Sequence, residues 1–296
     1  MRFTVLSFLF IFFLSLTVIP QTDPNIKTLL IRCDDLGMSH SVNMAVKELI
    51  EAGLVFSTSV MFPCAWYQEG VDILKDHPEI TVGVHLTLNA EWKNYRWGPI
   101  AGKDKVPSLV DKDGYFFPSR ATFFANNPKP EEVEIELRAQ IERAINSGIK
   151  ISYLDYHMGT AVDKPELRKI VEKLAKEYGL AISRYFGEED VESMYSVPIA
   201  EKKDSLFKLV EKLEPGKINL LVCHIGKDNP ELQAMIDMNS FGLSEMSKHR
   251  NAELNALIAA KEQNIFVKNN IKLINYRDLI NEIGLDKMKS PVESGY

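Results

Sequence analysis

Short apolar runs alternate with amphipathic segments along most of the chain. Runs of about four to eight apolar residues, bounded by Gly, Pro or acidic residues, are typical of buried parallel strands. The segments between them carry apolar residues at helical spacing, most clearly in residues 130–148. These patterns predict strands at residues 28–33, 54–61, 80–86, 149–156, 180–184, 217–223 and 271–274. They predict helices at residues 42–52, 66–76, 130–148, 164–179, 201–213, 252–262 and 277–283.

The regular alternation of strand and helix predicts the fold class. It favours an α/β fold, in which a parallel sheet is covered by helices. The count suits a distorted, TIM-like (β/α) barrel of about seven parallel strands. No repeat, low-complexity tract or linker divides the chain, so we expect residues 23–296 to form one domain. Two stretches without periodicity, residues 87–130 and 225–250, have the length of lid or binding loops.

The N-terminus carries a longer apolar run than any other part of the chain. One positive charge at Arg2 precedes an apolar run from Val5 to Pro20, and a polar segment follows. This pattern predicts a secretory signal peptide at residues 1–22 and an exported protein, periplasmic or extracellular. The run is slightly short for a membrane-spanning helix. It lacks a clear Ala-x-Ala-like cleavage site, so a retained membrane anchor is the alternative.

Composition and charge narrow the classes of partner. The net charge is -6 and no basic block is present, which argues against nucleic acid and against a stable membrane partner. Cys33, Cys64 and Cys223 are too few and too far apart for a disulfide framework or a zinc knuckle. The sequence does not fix the oligomeric state, and a homodimer is compatible with it.

Polar side chains able to do chemistry occur where four predicted strands end. Asp34 and Asp35 follow the first strand, and three later strands end at His85, His157 and His224. Because the C-terminal ends of parallel strands lie on one rim of a barrel, we expect these side chains to converge. Taken singly, the Asp pair could belong to a surface turn and each His to the core.

One carboxylate and two neutral imidazoles form a common ligand set for a catalytic divalent ion, with positions left open for water and substrate. We therefore assign Asp35, His85 and His157 as metal ligands. Two imidazoles favour zinc over magnesium, although the set admits both. Asp34 is then available as a general base toward water activated by the metal, and His224 as the acid that protonates a leaving group.

Four ordered motifs resemble those of a known family. They are Ile-Arg-Cys-Asp-Asp-Leu-Gly at 31–37, Gly-Val-His-Leu-Thr-Leu at 83–88, Tyr-Leu-Asp-Tyr-His at 153–157 and Val-Cys-His at 222–224. In this order they resemble the motifs of the YdjC-like (ChbG/HpnK) carbohydrate deacetylases. The resemblance implies a (β/α) barrel that uses a divalent metal to remove the N-acetyl group of an amino sugar or oligosaccharide.

The resemblance also implies the roles of the site residues. Asp34 matches the base and His224 the acid, while Asp35, His85 and His157 match the metal ligands. Two other functions remain open from the residues themselves. One is hydrolysis of a different ester or amide on a glycan, and the other is carbohydrate binding without catalysis.

Four further residues are candidates for contacts to the substrate or within the site. Asp155 is two residues from His157 and could orient an imidazole. Trp92 and Trp97 follow His85, and aromatic faces suit the apolar face of a sugar ring, although they could merely fix the loop. Arg184 could hold Asp34 or a substrate oxygen, or be a surface charge. The list of candidates is Arg184, Trp92, Trp97 and Asp155.

Overall fold

A computed structural model describes residues 25–291 of the protein. The predicted signal peptide at residues 1–22 lies outside the described residues, so that prediction stays untested. Within residues 25–291, no helix combines the length and the apolar character needed to cross a bilayer.

The strands form one parallel sheet, bent into a distorted, incomplete barrel with helices around it. The strand order is β5-β4-β3-β2-β1-β7-β6, and β8 pairs with β1. The strands are β1 (Lys27–Leu36), β2 (Ser57–Val60), β3 (Thr81–Leu86), β4 (Ile151–Tyr156), β5 (Ala181–Ile182), β6 (Glu188–Asp190), β7 (Ile218–Cys223) and β8 (Ile271–Ile274). The predicted α/β fold class is confirmed.

Helices follow most strands and cover the sheet. They are α1 (His40–Glu51), α2 (Tyr67–Asp76), α3 (Arg120–Ala125), α4 (Pro130–Asn146), α5 (Pro165–Tyr178), α6 (Lys202–Lys212), α7 (Pro230–Gln233), α8 (Met246–Glu262), α9 (Ile265–Lys268) and α10 (Tyr276–Ile283). The predicted strands and helices are all present. The sequence patterns missed β6, α3, α7 and α9, because elements this short carry too few residues to establish a period.

β1 lies at the centre of the sheet. One of its edges pairs with β7, in register from Thr28 to Cys33. Its other edge is shared, since β8 pairs with the N-terminal half of β1 and β2 with the C-terminal half. The C-terminal end of β1 therefore lies between β2 and β7.

β1 is buried on both faces, as its unbroken apolar run predicts. Leu29 belongs to the main core under the helices, and Leu30 packs on the opposite face in a smaller cluster with Tyr153 and Tyr276. The rings of these two tyrosines stack with their centroids 4.0 Å apart. Gly83 on β3 is required here, because a Cβ at this position would lie 2.5 Å from the Tyr153 ring.

The long segment after β3 is an ordered loop that α4 holds against the barrel. The carboxylate of Glu136, on the buried face of α4, accepts the backbone N–H groups of Ile100 and Ala101 at 3.0 and 2.9 Å. Gln140, one turn further along α4, accepts the N–H of Thr87 at 2.8 Å. The loop is thereby fixed at its beginning and near its middle, over the C-terminal rim.

Candidate metal centre

A β-bulge gives both adjacent carboxylates access to the same site. The register of β1 against β2 shifts between Cys33 and Leu36, the interval that contains Asp34 and Asp35. Asp35 has φ 71, in the left-handed region that few non-glycine residues adopt. In a regular strand, neighbouring side chains lie on opposite faces. The bulge changes this, so that Asp34 and Asp35 each place a carboxylate oxygen within 4.8 Å of a ring nitrogen of His85.

Three ligand atoms from three strand ends converge. The Oδ1 atom of Asp35 lies 3.3 Å from Nε2 of His85 and 3.5 Å from Nδ1 of His157, and the two nitrogens are 3.3 Å apart. Atoms bound about 2.1 Å from a tetrahedral ion are separated by roughly 3.4 Å. The three residues are therefore spaced to hold one divalent cation.

The chemistry of these donors also fits a cation. All three side chains are buried, and Oδ1 of Asp35 has no hydrogen-bond partner among the described residues. Burial disfavours an imidazolium, but Glu91 and Asp35 outweigh it and raise the pKa of His157 to about 9. In the same way Asp155 and Asp34 raise the pKa of His85 against its burial. Buried carboxylates thus favour a positive charge at both imidazoles, and a bound cation would supply one.

Each imidazole is oriented by a buried carboxylate through its other nitrogen. Nδ1 of His85 lies 2.9 Å from Oδ2 of Asp155, and Nε2 of His157 lies 3.0 Å from Oε2 of Glu91. These contacts hold each ring so that Nε2 of His85 and Nδ1 of His157 face Asp35. The proton of each ring then lies on the nitrogen that faces the carboxylate of Asp155 or Glu91. Sequence reasoning placed Asp155 beside an imidazole but missed Glu91, which lies in the aperiodic loop and has no local signal.

Asp34 is held by Arg32, from the same strand. Nε and Nη2 of Arg32 donate to the two oxygens of Asp34 at 2.7 and 2.8 Å, and Nη1 donates to Ser183 Oγ at 2.6 Å. Burial favours the neutral acid, but the charges of Arg32 and His85 lower the pKa of Asp34 to about 2. Asp34 is therefore ionised at any physiological pH. Arg32 was missed because it lies inside an apolar strand.

Arg184 does not make the contact to Asp34 that was considered for it. Its Nε and Nη2 donate to Asp190 at 2.6 and 2.7 Å, and its guanidinium lies 5.8 Å from the centre of the Tyr156 ring. Asp190 belongs to β6, the strand that the sequence patterns missed. A contact from Arg184 to substrate stays a prediction.

A second arginine holds the metal-ligand carboxylate. Nη2 of Arg250 donates to Oδ2 of Asp35 at 2.7 Å, which leaves Oδ1 as the free oxygen. Arg250 lies in α8, which begins six residues before the predicted helix at 252–262. The sequence had placed residue 250 in a loop, and no local pattern linked it to the first strand.

His224 follows β7 and is positioned through its backbone. Its N–H donates to Glu253 at 2.8 Å, and Glu253 forms a buried ion pair with Lys202 at 3.2 Å. The Nδ1 atom of His224 is buried without a hydrogen-bond partner among the described residues, and the ring of Tyr195 lies 5.9 Å away. The His224 side chain is thus half-buried at the end of β7, and its role as an acid stays a prediction.

The two loop tryptophans lie inside the structure. Trp97 is 5% exposed, donates to Asn89 O at 2.8 Å and lies edge-on to His157 at 6.3 Å. Trp92 is 2% exposed, and its ring faces Arg250 at 5.8 Å. Neither ring offers an open face to a sugar in this structure. Each ring packs against a residue of the metal centre, and a contact from either tryptophan to substrate stays a prediction.

Comparisons with known proteins find similar sequences and a similar fold. The model of a family described as YdjC-like protein matches residues 28–266. A carbohydrate deacetylase from Brevibacillus brevis is 29% identical, over 85% of this chain and 99% of the relative. One from Clostridium beijerinckii is 28% identical, again over 85% and 99%. An Enterococcus faecalis crystal structure, described provisionally as a cellobiose-phosphate cleavage protein, superposes with a TM-score of 0.71 at 25% identity, covering 86% of this chain and 99% of the other.

Proposed function

This chain belongs to the YdjC-like protein family, and we propose that it is a metal-dependent carbohydrate deacetylase that removes the N-acetyl group of an amino sugar or oligosaccharide. The observation that carries the proposal is the convergence of Asp35, His85 and His157, whose ligand atoms all lie within 4.8 Å of one another. The relatives named carbohydrate deacetylases support the reaction type, hydrolysis of an amide.

Asp35, His85 and His157 would hold the cation. When bound, a divalent ion polarises the amide carbonyl and lowers the pKa of water toward about 7. One carboxylate and two imidazoles favour zinc over magnesium, because imidazole is the softer donor. Asp155 and Glu91 each accept the N–H of the imidazole nitrogen that faces away from the cluster, so the other nitrogen of each ring would bind the ion.

Asp34 and His224 carry the proton transfers in the proposed reaction. Asp34 is ionised and takes a proton from the attacking water, and the charge of Arg32 keeps the carboxylate in place. The water oxygen bonds to the acetamide carbon, and the bond from that carbon to nitrogen breaks. His224 gives a proton to the departing amine, which leaves acetate and the free amino sugar as products.

Acetate release tests the reaction and the metal together. The protein, stripped with a chelator, is assayed on N-acetylglucosamine oligomers of increasing length with zinc or magnesium added back. We expect no release without metal and recovery with zinc. Activity that persists in the chelator-treated protein, with no metal added back, would refute metal dependence. Turnover of O-acetylated glycans alone would favour the alternative ester hydrolase, and sugar binding without turnover would favour a binding protein.

Two variants test the division of roles at the adjacent carboxylates. Asp35→Asn should abolish both zinc binding and activity, because Oδ1 is a proposed ligand. Asp34→Asn should lower kcat by about 10²–10⁴-fold while zinc still binds, since its proposed role is proton transfer. Equal loss of zinc from both variants, measured by metal analysis after gel filtration, would refute this assignment.

The N-terminal segment leads to a proposal about location. We propose that residues 1–22 direct export and are removed. Cell fractionation with N-terminal sequencing of the mature protein checks this. An intact Met1 on a membrane-bound protein would support the retained anchor instead.

A further inference from the structure

An open cleft lies on the C-terminal rim of the barrel, where β4, β5 and β6 end; we call it the rim cleft. Its volume is about 600 Å³, within the range of cavities that bind small ligands. It is bordered by α3 of the long loop, by the turn after β4, by the segment from β5 to β6 and by Pro291. Six side chains of its lining are Arg120, Tyr156, Asp163, Arg168, Arg184 and Asp190.

The rim cleft borders the proposed metal centre. Tyr156 is the last residue of β4 and directly precedes the proposed ligand His157. The Tyr156 hydroxyl donates to Ser183 O at 3.4 Å, and Ser183 Oγ accepts from Nη1 of Arg32 at 2.6 Å. Arg32 in turn holds Asp34, the proposed base. One wall of the rim cleft is therefore connected to the ligands and to the base of the proposed active site.

The Arg184 side chain is fixed in this wall with one donor unused. Its backbone is left-handed, with φ 72, and its N–H donates to the buried carboxylate of Glu188 at 2.8 Å. Non-glycine residues held in such conformations are concentrated at functional sites. Nε and Nη2 of Arg184 donate to Asp190, which leaves Nη1 without a hydrogen bond to residues 25–291. Because 25% of the side chain is exposed, a ligand in the rim cleft can reach it.

A second ion pair of the lining is built in the same way. Nη1 of Arg120 donates to Asp163 at 3.0 Å, and 53% of the Arg120 side chain is exposed. Nε and Nη2 of Arg120 make no hydrogen bond within the described part of the chain. Each pair therefore presents accessible N–H donors next to carboxylate oxygens that can accept.

The lining favours an uncharged ligand that is rich in hydroxyl groups. It contains three arginines and four acidic residues, so that its charges nearly cancel. A phosphate or carboxylate group would be attracted by the arginines and repelled by the acidic residues to a similar extent. A hydroxyl group both donates and accepts, which matches donors and acceptors placed side by side. The hydroxyl groups of a sugar meet this requirement.

We propose that the rim cleft binds the sugar units that are linked to the N-acetyl sugar at the metal centre. The pairs Arg184–Asp190 and Arg120–Asp163 contact the hydroxyl groups of these units. This inference rests on the proposed function and makes it more specific: the substrate is an uncharged oligosaccharide, and longer chains are bound more tightly. Contacts this far from the amide bind substrate and transition state alike, so they act mainly on KM.

Oligomers of N-acetylglucosamine, from the monomer to the tetramer, are the probes for this site. They are titrated into the metal-free protein, and binding is followed by the NMR signals of the sugar, without turnover. We expect the dissociation constant to fall as the chain lengthens. Arg184→Lys keeps a positive charge beside Asp190 but loses the open donor. We expect the tetramer to lose affinity about five- to tenfold relative to the monomer, because a hydrogen bond to a charged group is lost.

The zinc-loaded protein gives a second measurement. In Arg184→Lys we expect KM for the tetramer to rise by the same factor as the dissociation constant and kcat to change much less. A fall in kcat with no change in KM would mean that Arg184 acts on the reacting groups and not on the bound chain, and would overturn this role.

Arg138→Lys is the matched control. The Arg138 guanidinium also pairs with a carboxylate, that of Glu177 at 2.9 Å, and also lies beside a tyrosine ring, that of Tyr178 at 5.7 Å. It lies on α4, outside the lining of the rim cleft, so we expect unchanged affinities. Arg120→Met removes the donors of the second pair and should also weaken tetramer binding. Since Arg120 is exposed, this variant decides the question if circular dichroism shows that Arg184→Lys is unfolded.

An affinity that does not increase with chain length would overturn the rim cleft as a sugar site. Equal tetramer affinity in the unmodified protein, Arg184→Lys and Arg120→Met would do the same. Tighter binding of a tetramer that carries a phosphate group would refute the uncharged ligand.

The same measurements separate this inference from the proposed function. Acetate release from monomer and tetramer with the same kcat/KM, in the unmodified protein and in both variants, would overturn the rim cleft alone. Tetramer binding that depends on Arg184, in a protein that releases no acetate from any oligomer, would support the rim cleft and refute the proposed function.

Discussion

At the scale of single residues, the proposed ligands depend on carboxylates that do not touch the ion themselves. Asp155 and Glu91 each contact one imidazole through the nitrogen that faces away from the cluster. Asp155 lies on β4 beside His157 in sequence, yet it contacts His85 on the neighbouring strand. Glu91 performs the equivalent task for His157 from a loop. Each imidazole is therefore oriented by a residue from a different element and not by a neighbour on its own strand.

Replacing Glu91 tests whether it sets the tautomer of His157. In Glu91→Gln the side chain can present an N–H to Nε2, which would put the imidazole proton on Nδ1, the proposed ligand atom. We expect zinc affinity to fall by about 10–100-fold. Competition with a chromophoric chelator measures this affinity without reference to activity.

Glu69→Gln provides the control for that variant. Glu69 contacts Nδ1 of His40 at 2.8 Å, but that pair is at the surface and His40 is no proposed ligand. Its zinc affinity should be unchanged. An unchanged affinity in Glu91→Gln as well would show that His157 needs no partner to keep its orientation.

At the scale of elements, α4 links the barrel to the loop above the site. Glu136 is completely buried and accepts two backbone N–H groups of that loop, as well as the Gln140 side chain at 2.8 Å. Burial raises the pKa of Glu136 to about 7, although these three donors oppose the rise. Because α4 holds the loop through a carboxyl group that titrates, the stability of the protein depends on pH.

The sign of that dependence follows from where the proton resides. Between the unfolded pKa of about 4.3 and the folded value of about 7, the folded protein keeps a proton that the unfolded chain has lost. The contribution of Glu136 to stability is complete below the unfolded value and is lost as pH rises through the folded value. We expect the free energy of unfolding, relative to that of Glu136→Gln, to fall by about 2–3 kcal/mol from pH 4.5 to 7.5.

Urea unfolding of both proteins across this pH range measures the difference. Glu131→Gln, an exposed change on the same helix, should show no such trend relative to the unmodified protein. A difference that stays constant, or that grows with pH, would mean that Glu136 is ionised in the folded protein over the whole range.

At the scale of the whole molecule, the metal centre joins strands that are not all adjacent. The proposed ligands lie at the C-terminal ends of β1, β3 and β4, and β2 lies between β1 and β3 in the sheet. A cation bound to all three would therefore connect strand ends across the barrel rim. Such a site exists only in the folded chain, so metal binding must stabilise the fold.

Thermal unfolding in the presence of zinc tests this linkage. At a zinc concentration of about 100 times the dissociation constant, we expect the free energy of unfolding to increase by about 2.7 kcal/mol. Asp35→Asn should lose this increase and Asp34→Asn should keep it. A melting temperature that does not respond to zinc, in a protein that is active, would contradict the three-strand site.

The sequence alone determined the fold class, the strands and helices that are long enough to show a period, and the residues at the strand ends. These features are local: hydrophobic periodicity reports strand or helix, and the parallel βα order puts strand ends on one rim. The sequence therefore predicts that Asp34, Asp35, His85, His157 and His224 belong to one site.

Only the tertiary structure decided which groups act on those residues. Arg32 rather than Arg184 holds Asp34, Arg250 holds Asp35, and Glu91 holds His157. It also decided that Trp92 is buried. Apart from Arg32, these partners lie 66 residues or more away along the chain from the groups they hold. Such contacts depend on how separate elements pack, and the hydrophobic pattern does not specify which polar side chains come into contact.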